Sequence, residues 1–289
     1  MHKNWKIYIV THKEIYSEFY KKDAFFNYDN YDVLNVNTTK DVDIIGAQNF
    51  NIISQRKFNK FEPLGANYAE SEALWNLWKE GLHKNLDFIG FIHYDVIINF
   101  PNKFCKKNLS LTNEINKYIK EKETAHISFQ EFNTKEELKI WENIKNIQPL
   151  KSGKKIGYYE YILKDYNEFF KTNYTKEDFI KNKKINLCSM FLIDTKSFDK
   201  MMSFFDFVIK KGRLNSFDLS KDFRLPGGLA ERYFGVFMLF NYKEDYFIPL
   251  LHQGATTSIG AGPDGNMYER KTLNLCGLKI KYKKRVNKK

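Results

Sequence analysis

The sequence predicts an α/β protein: a mostly parallel sheet flanked by helices on both faces, with helical insertions. Three observations carry this. Short apolar runs of strand length close on polar residues, stretches with helical apolar spacing stand between them, and the run at 87–100 (DFIGFIHYDVIINF) is apolar nearly throughout, as a strand buried on both faces must be.

Taken in order, Lys6–Val10 (KIYIV) closes on Thr11, His12 and Lys13 and reads as the first strand. Residues 31–37 (YDVLNVN) and 42–48 (VDIIGAQ) are the next strand candidates. From Ala66 the period changes. Glu70 and Glu72 crowd a first turn, Leu74, Leu77 and Trp78 recur at i, i+3, i+4, and Gly81 stands at the stop, which predicts a helix. The central strand follows, interrupted near its carboxyl end by His93 and Asp95. Helix is expected over 110–122, a strand over 126–132 and mostly helix over 134–182. A strand at 187–193 leads into an amphipathic helix. A polar loop at 211–228 ends in Pro226-Gly227-Gly228, a helix begins near Leu229, and 245–253 (DYFIPLLHQ) is the last clear strand. No repeat or linker divides the chain, so one domain over 1–278 with a basic tail at 279–289 is expected.

Composition narrows the function classes. With 43% hydrophobic and 17% aromatic residues among 289, the chain has material for a packed core. A net charge of +12 suits nucleic acid, an anionic membrane surface or phosphorylated substrates. Much of that excess sits in scattered lysines and in the final KIKYKKRVNKK. RNA-binding signatures, zinc ribbons and helix-turn-helix patterns are missing, so no nucleic-acid partner is expected. Cys105, Cys188 and Cys276 offer neither a disulfide framework nor a metal pairing, and Cys188 reads as core. No apolar stretch approaches a secretion signal or a membrane span. A cytoplasmic protein, peripheral at the inner face of the membrane, is the expectation.

In open α/β sheets ligands bind outside the carboxyl ends of the strands. His12, His93 and His252 stand at such ends, the first sign of a shared site. The strongest local feature is His93-Tyr94-Asp95. Sugar transferases with such sheets often hold a divalent metal on an acidic D-x-D motif after an apolar strand, bridging the donor's phosphates. Here the position reads H-x-D. Asp95 and His93, with His252, are metal-ligand candidates for Mn²⁺ or Mg²⁺, imidazole suiting Mn²⁺ better. A simple hydrogen-bonded polar pair fits the residues equally well. Glu70 is either a contact to ribose or acceptor hydroxyls or a helix N-terminal charge. In Pro226–Phe234 (PGGLAERYF), Gly227 and Gly228 suit close backbone approach to a ligand at a helix start. Glu231 there is a general-base candidate and Arg232 a phosphate partner, helix capping with a surface charge pair being the alternative. The run after His252 (QGATTSIGAGP) reads as a phosphate-cradling loop or a plain surface loop. P-loop, G-x-S-x-G, H-E-x-x-H and C-x-x-C patterns do not occur.

Five segments in order, KIYIVTHK, NYAESEALWNLWK, DFIGFIHYD, NLCSMFLID and LAERYFGVFM, resemble a bacterial capsular and exopolysaccharide biosynthesis family of glycosyltransferases that includes galactofuranosyltransferases. The match runs from about residue 6 to 240. The resemblance implies a GT-A-like, Rossmann-type fold, a nucleotide-sugar donor such as a UDP-sugar, and a glycan or lipid-linked acceptor. It carries Thr11, His12 and Lys13 toward the donor pocket and Tyr68 and Glu70 toward donor or acceptor. His93, Tyr94, Glu231 and Arg232 go toward the centre. Two departures stand out: Asp95 replaces the family's Arg after His-Tyr, and Ser71-Glu72 replaces Leu-Thr. The expectation is an inverting hexosyltransferase with Glu231 as base. A non-catalytic nucleotide- or glycan-binding protein, or a nucleotidyl- or phosphoryl-transferring enzyme, is the alternative.

Overall fold

The computed structural model describes residues 3–12, 15–16, 28–36, 42, 44–45, 50–94, 96–97, 111–129, 147–149, 151–152, 155–181, 189–219, 224–244, 246–248, 250–252, 255–261, 267–275 and 278–285. Lys13, Asp95 and the three cysteines lie outside them.

Along the chain come β1 (Trp5–Thr11), β2 (Ile15–Tyr16), β3 (Tyr31–Asn35), β4 (Ile44–Ile45) and β5 (Asn51–Ser54). A 3-10 turn at Ala66–Tyr68 leads into α1 (Glu70–Glu80), then β6 (Phe88–His93), β7 (Val96–Ile97), α2 (Leu111–Ile119) and β8 (His126–Ser128). After β9 (Ile147–Pro149) and β10 (Lys155–Gly157) come α3 (Tyr158–Phe170), α4 (Lys176–Lys181), β11 (Phe191–Asp194) and α5 (Thr195–Lys210). The chain continues with α6 (Leu225–Asn241), β12 (Tyr246–Phe247), β13 (Leu251–His252), β14 (Ala255–Ala261), β15 (Met267–Leu275) and β16 (Leu278–Arg285).

Seven strands form the main sheet in the order β12-β8-β11-β6-β1-β3-β5. Its pairings are parallel except on either side of β11, which runs against both β6 and β8. The expected mostly parallel α/β sheet is therefore present. The pleat divides the core between its two faces. Tyr8, Val10, Ile89 and Phe91 face α1, α3, α5 and α6, whereas Ile7, Ile9, Phe88 and Ile92 pack with Leu111 and Ile115 of α2. Gly90, at the middle of β6, has no room for a side chain: a Cβ would meet the Phe191 carbonyl at 2.8 Å and Ile7 at 2.9 Å.

Several expected elements differ. The 42–48 strand is reduced among the described residues to β4, which pairs with β2 outside the main sheet, and the sheet edge is supplied by β5 instead. β9 and β10 pair antiparallel where helix was expected. The last strand divides into β12, which pairs with β8 in the main sheet, and β13, which pairs with β7 outside it. The glycine-rich loop after His252 is replaced by β14, whose Thr256, Thr257 and Ile259 favour extended backbone. β14, β15 and β16 make one antiparallel sheet, so the basic tail is largely a paired strand.

Candidate functional site

A chain of hydrogen bonds ties together the carboxyl ends of the parallel strands. The Tyr94 amide donates to the Val10 carbonyl at 3.1 Å, and the Val36 amide to the Thr11 carbonyl at 2.8 Å. Buried Gln55, just past β5, donates through Nε2 to the Val36 carbonyl at 3.3 Å and to Glu72 Oε1 at 3.0 Å. The N-terminus of α1 is thereby fixed at the carboxyl ends of the parallel strands, where sheets of this kind generally leave a ligand crevice.

Glu72 does more. Its Oε2 accepts from the amides of Leu64 and Gly65, each at 2.7 Å. One turn on, Asn76 accepts from the Glu62 amide at 2.9 Å and donates to the Glu62 carbonyl at 3.0 Å. These two buried side chains lay the 62–65 loop along α1. The loop ends at Gly65, with φ of 114°. After the 66–68 turn, Ala69 takes φ 49° and ψ −134°, a left-handed region costly for a residue with a Cβ. That strain stands immediately before Glu70.

The second wall is α6. It begins at Leu225, four residues before the sequence expectation, because Pro226 fits the first turn of a helix, where its missing N–H goes unused. Gly227 and Gly228 thus lie inside the helix. The close approach that Gly227 permits is to backbone: a Cβ there would meet the carbonyl oxygens of Tyr68 at 3.1 Å and Asn67 at 3.2 Å. This contact replaces the ligand approach expected of the glycine pair. One turn further on it sets Glu231 beside Glu70. Tyr233, two residues past Glu231, anchors the helix by donating from its hydroxyl to buried Asp165 at 2.7 Å. Arg213 Nε stands 2.9 Å from the other Asp165 oxygen.

Burial, and secondarily the charge of Glu70, push the Glu231 carboxyl up to about 7, while Arg232 and Arg224 pull against the rise. Arg232 is held by donating from Nη1 to the Gly228 carbonyl at 2.6 Å. Tyr68 is buried in the core. Its hydroxyl donates to Asn215 Oδ1 at 3.3 Å, and burial raises that phenol's pKa.

At the strand tips, His93 continues the β6 face of Ile89 and Phe91, the face that α1 and α6 cover. Its Nε2 is buried with no hydrogen-bond partner among the described residues. Thr11 and Tyr94 belong to the opposite face: Thr11 is buried, and Tyr94 packs toward α2. His12 meets Tyr94 edge-on, ring centroids 5.2 Å apart. His252 pairs through its backbone with Val96, beside the 93–95 segment. The predicted residues therefore gather at one end of the sheet in two groups. Glu70, Glu231, Arg232, Tyr68 and His93 are on one face, Thr11, His12 and Tyr94 on the other. Among the described residues no three His, Cys, Asp or Glu side chains are grouped to hold a metal ion. No helix among them is long and apolar enough to cross a membrane.

No protein-family model matches the chain. No curated protein matches it either. Among solved structures, the apo structure of the WbbM bifunctional glycosyltransferase is similar in fold. The TM-score is 0.51 at 14% identity, covering 90% of this chain and 47% of that one. The likeness is one of fold: this chain has the GT-A-like, Rossmann-type architecture of a glycosyltransferase and spans about half the length of that protein.

Sequence reasoning missed Gln55, Arg224 and the clamp made by Glu72 and Asn76. Glu72 had a signal, since it is one of the positions where the chain departs from the family pattern. Arg224 had none, because its proximity to Glu231 depends on where α6 begins.

Proposed function

We propose that the chain is a glycosyltransferase. It moves a sugar from a nucleotide-diphosphate donor, UDP-linked, to a hydroxyl of a glycan or lipid-linked acceptor in bacterial capsule or surface-polysaccharide assembly. The observation that carries this reading is Glu231: a carboxyl raised to about 7, beside Glu70, at the ligand-binding end of a sheet whose fold is that of a glycosyltransferase. The ordered run of five sequence motifs supports the substrate class.

A general base works best with a pKa near the operating pH. Glu231 takes the proton of the acceptor hydroxyl as that oxygen attacks the anomeric carbon. The bond from that carbon to the β-phosphate oxygen breaks, its electron pair leaves on the diphosphate, and attack opposite the leaving group inverts the centre. Arg232 and Arg224, near enough to lower the Glu231 pKa, offset the developing negative charge. Glu70 keeps Glu231 basic and accepts from a substrate hydroxyl. The orphaned, buried Nε2 of His93 fits a metal or phosphate partner. His93, Asp95 and His252 would hold Mn²⁺ or Mg²⁺, which when bound supplies positive charge to the diphosphate.

Calorimetric titration with UDP-, GDP- and CMP-sugars, with and without Mn²⁺, tests the donor. Tight UDP-sugar binding that weakens in Asp95→Asn supports the metal set, whereas metal-independent binding unaffected by that change removes it. Product analysis tests the reaction. Free nucleoside diphosphate means sugar transfer, pyrophosphate means nucleotidyl transfer, and no turnover across donors and acceptors means a binding protein.

A further inference from the structure

One segment, Arg213 to Phe217, ties together the two elements that carry Glu70 and Glu231. It lies in the stretch that reads from sequence only as a polar loop, yet it is firmly held. Leu214 and Phe217 are buried, and Phe217 meets Tyr161 of α3 edge-on, ring centroids 5.0 Å apart. The Arg213 carbonyl accepts from the Tyr161 hydroxyl at 3.1 Å and the Ser216 carbonyl from the Lys151 amide at 2.9 Å. The Ser216 hydroxyl donates to the Gly212 carbonyl at 3.0 Å. Toward α6 the segment acts through Arg213, whose partner Asp165 also accepts from Tyr233, two residues past Glu231. Toward α1 it acts through Asn215, which accepts from the Tyr68 hydroxyl two residues before Glu70.

Between Tyr68 and Glu70 stands Ala69, in a backbone region that favours glycine. Such strain persists only where the surroundings hold it. The Tyr68 amide donates to the Gly65 carbonyl at 3.0 Å, and the Tyr68 carbonyl accepts from the Ser71 hydroxyl and is backed by Gly227. Those contacts fix the backbone. The side chain is fixed separately: its ring is buried, and among the described residues Asn215 is the partner of its hydroxyl. Phenylalanine would fill the same core space, so what the hydroxyl adds is that bond.

We infer that Asn215 is a positioning residue of the transfer site: it holds Tyr68, and through it the strained Ala69, so that Glu70 stays beside Glu231. Tyr68 then acts through Glu70 and not by touching substrate. The consequence for turnover rests on the transferase reading, whereas the link from Asn215 to the carboxyl pair does not. The charged groups facing Glu231 among the described residues are Glu70 from α1 and Arg224 and Arg232 from its own helix; Tyr159 of α3 lies near Arg232, and His93 of β6 is on the same face of the sheet. Loosening Tyr68 lets Glu70 move away from Glu231, which removes part of the rise in the Glu231 pKa and leaves the part due to burial.

The test is a pH titration of the full-length chain by NMR of labelled glutamate carboxyls, with Glu231 assigned by its loss in Glu231→Gln. Asn215 is exposed and Tyr68→Phe keeps the buried ring, so both Asn215→Ala and Tyr68→Phe should fold. In each, the Glu231 pKa should fall by about half a unit or more. Asn215→Asp, which keeps an acceptor for the Tyr68 hydroxyl, should hold it at or above the wild-type value. In a Glu70→Gln background, Asn215→Ala should shift it no further, because the effect runs through Glu70. With sugar donor and acceptor, kcat should fall about tenfold or more in Asn215→Ala, with KM little changed, and recover in Asn215→Asp. An unmoved Glu231 pKa in both Asn215→Ala and Tyr68→Phe, or a full-size shift that persists without Glu70, would overturn the proposal. The expected pKa shifts in a chain that turns over no sugar donor would remove the transferase reading and uphold the link from Asn215 to Glu70.

Discussion

At the scale of single residues, Glu231 links stability to chemistry. Its folded pKa of about 7 lies above the ordinary carboxyl value, so its contribution is intact below pH ~4.5 and lost as pH rises through 7. At about 1.4 kcal/mol per unit the loss is roughly 3 kcal/mol at most. Glu231→Gln should therefore remove this slope and leave the protein roughly 2–3 kcal/mol more stable than wild type at pH 8. Urea unfolding at pH 5 and pH 8 measures it, and identical slopes would contradict the burial argument. In the same pair, Glu70→Gln removes the charge that helps raise Glu231. The acid limb of kcat should move to lower pH in that variant, and an unmoved limb means that the carboxyls do not couple. Glu72 plays a purely structural part. Glu72→Ala leaves Gln55 Nε2 and the amides of Leu64 and Gly65 without their acceptor, a loss of about 3 kcal/mol in denaturant unfolding. A loss below about 1 kcal/mol would mean that water replaces the carboxylate readily.

At the scale of elements, the site depends on how closely α6 meets the 66–68 turn. Gly227→Ala gains about 1 kcal/mol of helix propensity, but its methyl would press on two backbone carbonyls that cannot swing aside. A net loss of about 1–3 kcal/mol and a lower kcat are expected. Gly228→Ala meets only the movable end of Arg232, 3.2 Å away, and should be neutral or slightly stabilising. Thermal unfolding of the two variants decides this, and equal effects would refute the contact. The same pair of glycines shows where the sequence was legible. β1, α1, β6 and α5 were readable because apolar period and end signals agreed within each segment. The start of α6 was not, since Pro-Gly-Gly reads locally as a break and its helical use depends on Asn67 and Tyr68, far away in the chain. β5 was missed as a short edge strand whose Asn51 and Ile52 are exposed. β16 was taken for a tail although its alternation of lysine with Leu278, Ile280 and Tyr282 is a strand period.

At the scale of the whole molecule, a seven-stranded sheet brings Glu70, His93 and Glu231 from three distant segments to one end, in an architecture shared with a glycosyltransferase. The candidate site was placed from strand ends alone, because parallel sheets leave their ligand crevice there. The Glu70–Glu231 pairing did not, since it depends on helix packing across the sheet. The most direct measurement follows both products of a UDP-sugar and a glycan acceptor incubated with wild type and with Glu231→Gln at pH 7.5. Nucleoside diphosphate and glycosylated acceptor should form in equal amounts in wild type. In Glu231→Gln turnover should fall about 10²–10³-fold while donor binding is kept. Release of pyrophosphate, or near-normal turnover by Glu231→Gln, would contradict the account.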